Sequence, residues 1–155
     1  RPSRWRPSAA RCGRWCRSGR AAFGSCGKVL QPNAVILGYP VVTAGKYAHE
    51  DSFTNLAGED AELKSVLSLE LQVKDGLPPF FIWHTVEDAI VPVQNSLLLA
   101  GALTEHGVPY ELHLFQKGFH GMSVCTQETN TKNSHNANWI PLCMDWLADT
   151  FDFKM

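Results

Sequence analysis

Three short apolar runs along the chain predict buried β-strands. Residues 34–39 read AVILGY, residues 80–85 read FFIWHT and residues 110–115 read YELHLF, and each run has a proline close to it. The first run is continuous in apolar and β-branched residues, which is typical of a strand buried on both faces of a sheet. The third run alternates between apolar and polar residues, which favours a position nearer the sheet edge.

Three further segments carry the spacing of helices. Residues 93–106 place apolar side chains on one stripe, namely Leu97, Leu98, Ala102 and Leu103. Gly107 then predicts a C-terminal cap, and Pro109 prevents continuation of the helix. Residues 138–151 place apolar side chains at i, i+3, i+4, i+7 and i+8, namely Trp139, Leu142, Cys143, Trp146 and Leu147. This spacing predicts an amphipathic helix packed on the core. Residues 60–71 predict a shorter helix with an apolar face of Leu63, Val66 and Leu67.

The order of these elements predicts an α/β fold in which helices flank a parallel sheet on both faces. Three strands are few for such a sheet, because they leave an open edge and uncovered apolar surface. We therefore expect residues 29–155 to be the C-terminal half of a larger domain, with the missing N-terminal half as its partner. No run approaches the roughly 18 consecutive apolar residues of a membrane span, so no membrane association is expected.

Charge divides the chain into two unequal segments. Residues 1–28 contain all seven arginines and Lys28, whereas all fifteen carboxylates lie at or beyond Glu50. The basic segment shows neither strand nor helix periodicity, so we expect a disordered or non-native arm. Its arginines are interleaved with Trp5 and Trp15, a composition that can bind single-stranded nucleic acid. A solvated tail, or a coding region read in the wrong frame, explains the same composition, and nucleic-acid binding is kept as the less favoured alternative.

The cysteine content argues against a disulfide-built domain. Five scattered cysteines are too few for such a scaffold, and the odd number leaves at least one thiol unpaired. A reducing, cytoplasmic compartment is therefore slightly favoured. Cys12, Cys16 and Cys26 provide three thiolates, but no nearby histidine or fourth cysteine completes a tetrahedral zinc set. We expect neither a metal nor a cofactor.

Candidate catalytic residues follow the second and third predicted strands. Asp88 lies in the loop after FFIWHT, and His120 lies between Gly118 and Gly121 in the loop after YELHLF. The carboxyl ends of neighbouring parallel strands meet at one edge of a sheet, so these two side chains can come into contact. A carboxylate that accepts the imidazole Nδ1 proton fixes the tautomer in which Nε2 is the base. Asp88 and His120 therefore suit the orienting acid and the general base of a nucleophilic hydrolase.

The stretches HTVEDAIVP and KGFHG, placed on consecutive loops, resemble those of the α/β-hydrolase superfamily. The pattern is closest to acetyl esterases, acetylxylan esterases and prolyl-oligopeptidase-like hydrolases, and it extends from Pro32 to the C-terminus. The resemblance implies an α/β-hydrolase fold and a carboxylic-ester hydrolase of the serine type, acting on a small ester or an acetylated sugar. It also implies that Asp88 is the triad acid and His120 is the general base.

The nucleophile of that superfamily has no counterpart in the sequence. Members carry Gly-x-Ser-x-Gly at a strand-to-helix turn. Gly24-Ser25-Cys26-Gly27 is one residue short of this motif, and Gly121-Met122-Ser123-Val124-Cys125 lacks the final glycine and follows the histidine. Removal of such a nucleophile costs on the order of 10⁶ in turnover. We therefore expect the chain to be inactive by itself, and a catalytically dead binding protein with an α/β-hydrolase fold is a second alternative.

Four other residues near the two loops have either a structural role or a role in the site. His84 ends the second strand, and a hydrogen bond to the backbone is favoured over a place in the lining of the site. His113 alternates within the third strand, which favours the strand surface over a ligand role. Trp83 is expected in the core, whereas Phe119 is a candidate wall of an acyl or sugar pocket.

Overall fold

The computed structural model describes residues 32–152, so the predictions made for the basic arm lie outside the described residues. Within that range the strands are β1 (Val35–Gly38), β2 (Phe80–Thr85) and β3 (Tyr110–Phe115). The α-helices in the same range are α1 (Glu50–Ala57), α2 (Ala61–Leu67), α3 (Gln94–Glu105) and α4 (Trp139–Phe151). Short 3₁₀ turns cover Leu69–Leu71 and Asn136–Asn138. The predicted order of strands and helices is confirmed, and α1 is an addition to it.

The three strands form a parallel sheet in the order β1-β2-β3. All side chains of β2 are buried, as expected for a central strand with helices on both faces. Most side chains of β3 are partly exposed, which confirms the predicted position near the sheet edge. Thr85 of β2 lies opposite Phe115 of β3 in the register. The loops that follow these two strands therefore begin side by side.

The prediction that the first apolar run is buried on both faces is wrong. Ile36 of β1 is 46% exposed. Within the described residues β1 pairs only with β2, so its other edge has no strand beside it. Ile36 lies opposite Phe81 and so points to the same face of the sheet, but it is not among the residues that pack with Phe81 in a hydrophobic cluster. A continuous apolar run shows that a strand is suited to burial on both faces. In β1, part of this apolar surface is exposed.

Two hydrophobic clusters attach helices to opposite faces of the sheet. The cluster on the α3 side consists of Val42, Val73, Phe80, Ile82, Leu99, Leu103 and Val108. The cluster on the α4 side consists of Phe81, Trp83, Phe115, Met122, Cys125, Cys143 and Trp146. Alternate residues of β2 thus enter opposite clusters, as the two-residue period of a strand requires. Each large side chain buried in this way contributes about 1.5–3 kcal/mol, so β2 is held firmly between two layers.

The buried residues predicted for α4 agree with the structure, whereas those predicted for α3 agree only in part. All five predicted apolar residues of α4 enter or pack against the α4-side cluster. The stripe predicted for α3 is partly wrong, because Leu97 and Leu98 are exposed. The helix instead buries Leu99, Ala100 and Leu103 together with two polar residues, Asn95 and Ser96. Gly107 follows the helix with φ 60, as predicted for a glycine cap.

Asn95 explains why polar residues replace leucines on the buried face of α3. Its Oδ1 accepts the backbone N–H groups of Val42 and Thr43 at 2.8 and 3.0 Å. Its Nδ2 donates to the carbonyls of Tyr47 and Pro92 at 2.9 and 3.0 Å. One buried amide therefore satisfies four backbone groups, which a leucine would leave unpaired. These bonds attach the chain after β1 to the start of α3.

The helix predicted over residues 60–71 is shorter than expected. It is divided into α2 and the 3₁₀ turn Leu69–Leu71, and its first turn is capped by Asp60, whose side chain accepts the Leu63 N–H at 2.9 Å. Its predicted apolar face is wrong, because α2 buries no residue and both Leu63 and Val66 are exposed. Among residues 32–152, no helix has the length and apolarity needed to cross a membrane.

Candidate active site

The loops after β2 and β3 bring Asp88 and His120 into direct contact. Nδ1 of His120 donates a hydrogen bond to Oδ2 of Asp88 at 2.8 Å. The Asp88 side chain is buried, whereas the His120 side chain is 29% exposed. The contact expected from the order of the strands is therefore present. One end of the imidazole faces a buried carboxylate, and the ring as a whole stays within reach of solvent.

Asp88 is held by the backbone of its own loop. Its Oδ1 accepts the N–H groups of Ile90 and Val91, each at 2.9 Å, an arrangement that aspartate favours in turns. Burial alone would raise the pKa of Asp88, but the hydrogen bonds from Val91, His120 and Ile90 outweigh burial and hold this pKa below its usual value. Asp88 is therefore a carboxylate at neutral pH.

His84 lies beneath this pair and is fully buried. Its Nε2 is 3.0 Å from the carbonyl of Val91 and 3.3 Å from Oδ2 of Asp88, and its Nδ1 is 2.8 Å from Oγ of Ser96. Burial lowers the pKa of His84, although the Val91 carbonyl and the Asp88 charge oppose this shift. The ring is thus neutral. A carbonyl can only accept, so the proton is on Nε2 and the Ser96 hydroxyl donates to Nδ1.

The predicted backbone hydrogen bond of His84 is confirmed, and the ring also lies beside Asp88, as the less favoured alternative had it. The two residues are four apart in the sequence, across the end of β2. An i, i+4 spacing indicates contact in a helix and carries no such meaning at a strand end. The contact arises because the Asp88 loop turns back toward the α3 side of β2. Only the tertiary structure contains that information.

Gly118, two residues before His120, is packed so closely that no larger residue fits. Gly118 has φ 145, and a Cβ on it would lie 2.7 Å from atoms of Thr85, Met122 and Asn136. Gly121 has φ 82, which also favours glycine. These angles let the backbone turn tightly on both sides of His120. Within residues 32–152, Nε2 of His120 has no hydrogen-bond partner, so this nitrogen is free to accept a proton.

Several aromatic residues surround the two loops. Trp83 is buried as predicted, and its ring stacks on that of Trp139 with centroids 5.2 Å apart. Phe119 is 55% exposed next to His120, which keeps it a candidate for contact with a substrate. His113 is partly exposed on β3 and pairs with Glu111 of the same strand, as expected for a strand-surface residue. Tyr39 contacts His120 directly, and the sequence pattern did not indicate this contact.

The string around Ser123 does not form a nucleophile site. The backbone N–H of Ser123 donates to the Tyr39 hydroxyl at 3.1 Å, and its carbonyl accepts from Nε1 of Trp139 at 3.0 Å. Within the part of the chain that the structure describes, no serine, threonine or cysteine side chain hydrogen-bonds His120. Within the described residues, the arrangement therefore consists of an imidazole that is oriented by a buried carboxylate.

A model of the prolyl oligopeptidase family matches residues 39–152, which include both loops and all four helices named above. The chain belongs to the prolyl oligopeptidase family. This match agrees with the resemblance inferred from the two loop motifs. It also agrees with the observed parallel sheet and flanking helices, so the predicted fold class is confirmed.

Curated relatives in and near this family are much longer than the chain. The endo-1,4-β-xylanase B of Butyrivibrio fibrisolvens is 50% identical over 101 residues, which are 63% of this chain and 16% of the xylanase. A probable dipeptidyl-aminopeptidase B of Sordaria macrospora is 33% identical over 103 residues, or 64% of this chain and 10% of that protein. The chain thus spans only a small part of these relatives.

Solved structures of esterases and sugar hydrolases superpose on the prolyl oligopeptidase fold of this chain. An acetyl ester-xyloside bifunctional hydrolase from Caldicellulosiruptor lactoaceticus is 41% identical with a TM-score of 0.70, covering 76% of this chain and 42% of that one. A carboxylesterase from Lactobacillus plantarum is 30% identical with a TM-score of 0.65, covering 77% and 45%. A sugar hydrolase from Lactococcus lactis is 30% identical with a TM-score of 0.68, covering 84% and 53%. The chain therefore spans about half the length of these structures.

Proposed function

We propose that residues 32–152 supply the acid and the base of a carboxylic-ester hydrolase of the serine type. The hydrogen bond from His120 Nδ1 to the buried carboxylate of Asp88 carries this proposal. It places the ring proton on Nδ1 and leaves Nε2 as the acceptor that a general base needs. The low pKa of Asp88 supports the same roles, since the group must stay anionic beside a ring that becomes positive.

In the proposed reaction, a serine from another part of the same domain attacks the ester carbonyl while Nε2 of His120 takes the hydroxyl proton. Asp88 stabilises the imidazolium and does not itself accept the proton. The imidazolium then protonates the departing alcohol, which leaves an acyl-enzyme. Water attacks this ester, His120 again accepts a proton, and the serine leaves with that proton as the acid is released.

We propose an acetylated sugar or a small ester as the substrate. The support comes from an acetyl ester-xyloside hydrolase at 41% identity and from a xylanase at 50% identity. We further propose that the chain is inactive by itself. Its coverage of 42% of the acetyl ester-xyloside hydrolase and the unpaired outer edge of β1 within the described residues support this proposal, because the nucleophile would then come from the remaining half.

A chimaera tests the proposed function. It joins the N-terminal part of the Caldicellulosiruptor lactoaceticus hydrolase to residues 39–152 of this chain, and hydrolysis of p-nitrophenyl acetate is measured. We expect activity, labelling of one serine by a fluorophosphonate probe, and a fall in kcat on the order of 10⁴–10⁶ for His120→Ala. His135→Ala, an exposed histidine in a neighbouring loop, is the matched control and should retain activity.

Two outcomes would contradict the proposal in different ways. Undiminished hydrolysis by the His120→Ala chimaera would remove His120 as the base. A folded chimaera that is neither labelled by the probe nor able to hydrolyse the ester would instead favour the catalytically dead binding protein. The isolated chain should give the same background rate of hydrolysis with and without His120→Ala.

A further inference from the structure

Tyr39 occupies an unusual backbone conformation directly after β1. Its φ is 40, in the left-handed region that bulky residues rarely adopt. Its N–H still donates to the Trp83 carbonyl at 2.7 Å, so the chain leaves the sheet only at this residue. The preceding Gly38 is tightly packed, because a Cβ there would lie 2.8 Å from Nε1 of Trp83. Such strain persists only where neighbouring contacts enforce it, and it concentrates at functional sites.

The side chain of Tyr39 connects three parts of the candidate site. Its ring lies edge-to-face against the His120 imidazole, with centroids 4.9 Å apart and planes at 70°. The same ring contacts Trp83 of β2 with centroids 5.0 Å apart and planes at 82°. Its hydroxyl accepts the N–H of Ser123 at 3.1 Å, three residues beyond His120. The ring and the hydroxyl thus contact the histidine and its loop separately.

His120 needs a second support besides Asp88. Within the described residues its imidazole makes a single hydrogen bond, through Nδ1. A ring that is held at one atom and is 29% exposed can rotate toward solvent and lose the carboxylate. The Tyr39 ring occupies one flank of the imidazole and restricts this rotation. The hydroxyl acts on the loop itself, because Ser123 also has a left-handed φ of 51 and is held there by side chains.

We propose that Tyr39 is a positioning residue for His120. Its ring keeps the imidazole in the rotamer that reaches Asp88, and its hydroxyl anchors the loop at Ser123. The catalytic meaning of this role rests on the proposed function, whereas the contacts themselves do not. The contact spans 81 positions of the sequence between residues 39 and 120, so it is made only when β1 and β3 lie on the same sheet.

The experiment uses the full 155-residue chain with ¹⁵N-labelled histidine. The ¹⁵N shifts of the imidazole report which ring nitrogen carries the proton, at a pH where His120 is neutral. We expect His120 to be protonated on Nδ1 in the unmodified chain. In Tyr39→Ala, we expect the ratio of the Nδ1–H to the Nε2–H form to fall roughly 2- to 10-fold, the equilibrium equivalent of one aromatic contact. Tyr110→Ala removes an exposed tyrosine of β3 and should leave the ratio unchanged.

Tyr39→Phe separates the two parts of the proposal. It keeps the ring, so the His120 tautomer should stay as in the unmodified chain. It removes the acceptor for Ser123, so exchange of the Ser123 amide hydrogen should become roughly 2- to 10-fold faster. This second measurement also stands if Tyr39→Ala fails to fold, as judged by the dispersion of its backbone amide signals.

The proposal is overturned if a folded Tyr39→Ala chain keeps the His120 tautomer as fully as Tyr110→Ala does. It is also overturned if Tyr39→Phe leaves the exchange of the Ser123 amide unchanged. Neither measurement requires hydrolysis. A chimaera without esterase activity would therefore count against the proposed function and leave the role of Tyr39 to be decided by the spectra.

Discussion

The loop that carries Asp88 and the loop that carries His120 are fixed by different kinds of contact. Asp88 is held by Ile90 and Val91, two and three positions further along the chain. The His120 loop is held by side chains from other elements. Asn136 donates to the Lys117 carbonyl, Trp139 donates to the Ser123 carbonyl, and the Tyr39 hydroxyl accepts from Ser123, at separations of 19, 16 and 84 positions.

This difference separates local from tertiary control of the candidate site. Both donors to Oδ1 of Asp88 come from its own turn, although His84 and His120 also contact Oδ2. The imidazole reaches its position only after β1, β2 and α4 have assembled around it. The position of His120 therefore depends mainly on contacts between distant segments, whereas half of the contacts of Asp88 come from one turn. Substitutions in the two loops should therefore affect different properties, namely the catalytic rate for the Asp88 loop and the free energy of unfolding for the His120 loop.

After His120→Ala, the largest expected effect comes from Asp88→Asn in the chimaera. The asparagine carbonyl can still accept both backbone N–H groups, so the turn should survive and the fold should change little. Its amide group would then donate toward His120, which favours the tautomer with the proton on Nε2 and leaves no free base. We expect kcat for p-nitrophenyl acetate to fall on the order of 10⁴. Glu87→Gln removes the neighbouring exposed carboxylate and should have little effect, and equal losses for the two variants would contradict the assignment of Asp88.

The next largest effect is expected from Gly118→Ala in the His120 loop. The added methyl group would approach Thr85, Met122 and Asn136 to 2.7 Å at a φ of 145. We expect the free energy of unfolding in urea to fall by about 3 kcal/mol or more. Gly101→Ala is the matched control, because nothing lies within 4 Å of its Cβ position in α3. That change should stabilise the chain by up to about 1 kcal/mol, and a similar loss in both variants would argue against the packing described for Gly118.

The contrast between the loops also explains which features could be predicted from the sequence. The limits of β2 and β3 follow from their apolar runs and neighbouring prolines, and the buried face of α4 follows from its spacing. Asp88 and His120 could be paired because parallel strands end at one edge of the sheet. Each of these inferences uses neighbours in the sequence or a rule of topology.

The features that escaped prediction depend on contacts between distant segments. Tyr39 reads as the last residue of an apolar run, and nothing in that run indicates a left-handed turn. Asn95 reads as a polar interruption in a helix, although it satisfies four buried backbone groups. α1 has too few apolar positions for a helical stripe, since it buries only Phe53 and Ala57. A polar group that is buried against a partner far away in the sequence does not change the hydrophobic periodicity, so sequence patterns do not reveal it.

The smallest expected effect is the dependence of stability on acid. The folded-state pKa of Asp88 is lowered, so its ionisation stabilises the fold above its unfolded pKa of about 3.9, and that contribution is lost as pH falls through the folded value. The pKa of His84 is also lowered, mainly by burial. The unfolded chain therefore takes up this proton first, and stability begins to fall below about pH 6.5. Two separate losses should result, one for each group.

Urea unfolding of the full chain between pH 8 and pH 3 can separate these two losses. The difference in unfolding free energy between the unmodified chain and Asp88→Asn should narrow below about pH 4, because the carboxylate takes up its proton there and the asparagine does not. Between about pH 6.5 and pH 5 the difference also contains a contribution from His84, because the Asp88 charge opposes the lowering of the His84 pKa. The earlier loss, below about pH 6.5, should occur in both proteins. A difference that does not narrow below about pH 4 would mean that the pKa of Asp88 is not lowered in the fold, and the carboxylate would then be held by burial rather than by the turn that distinguishes its loop.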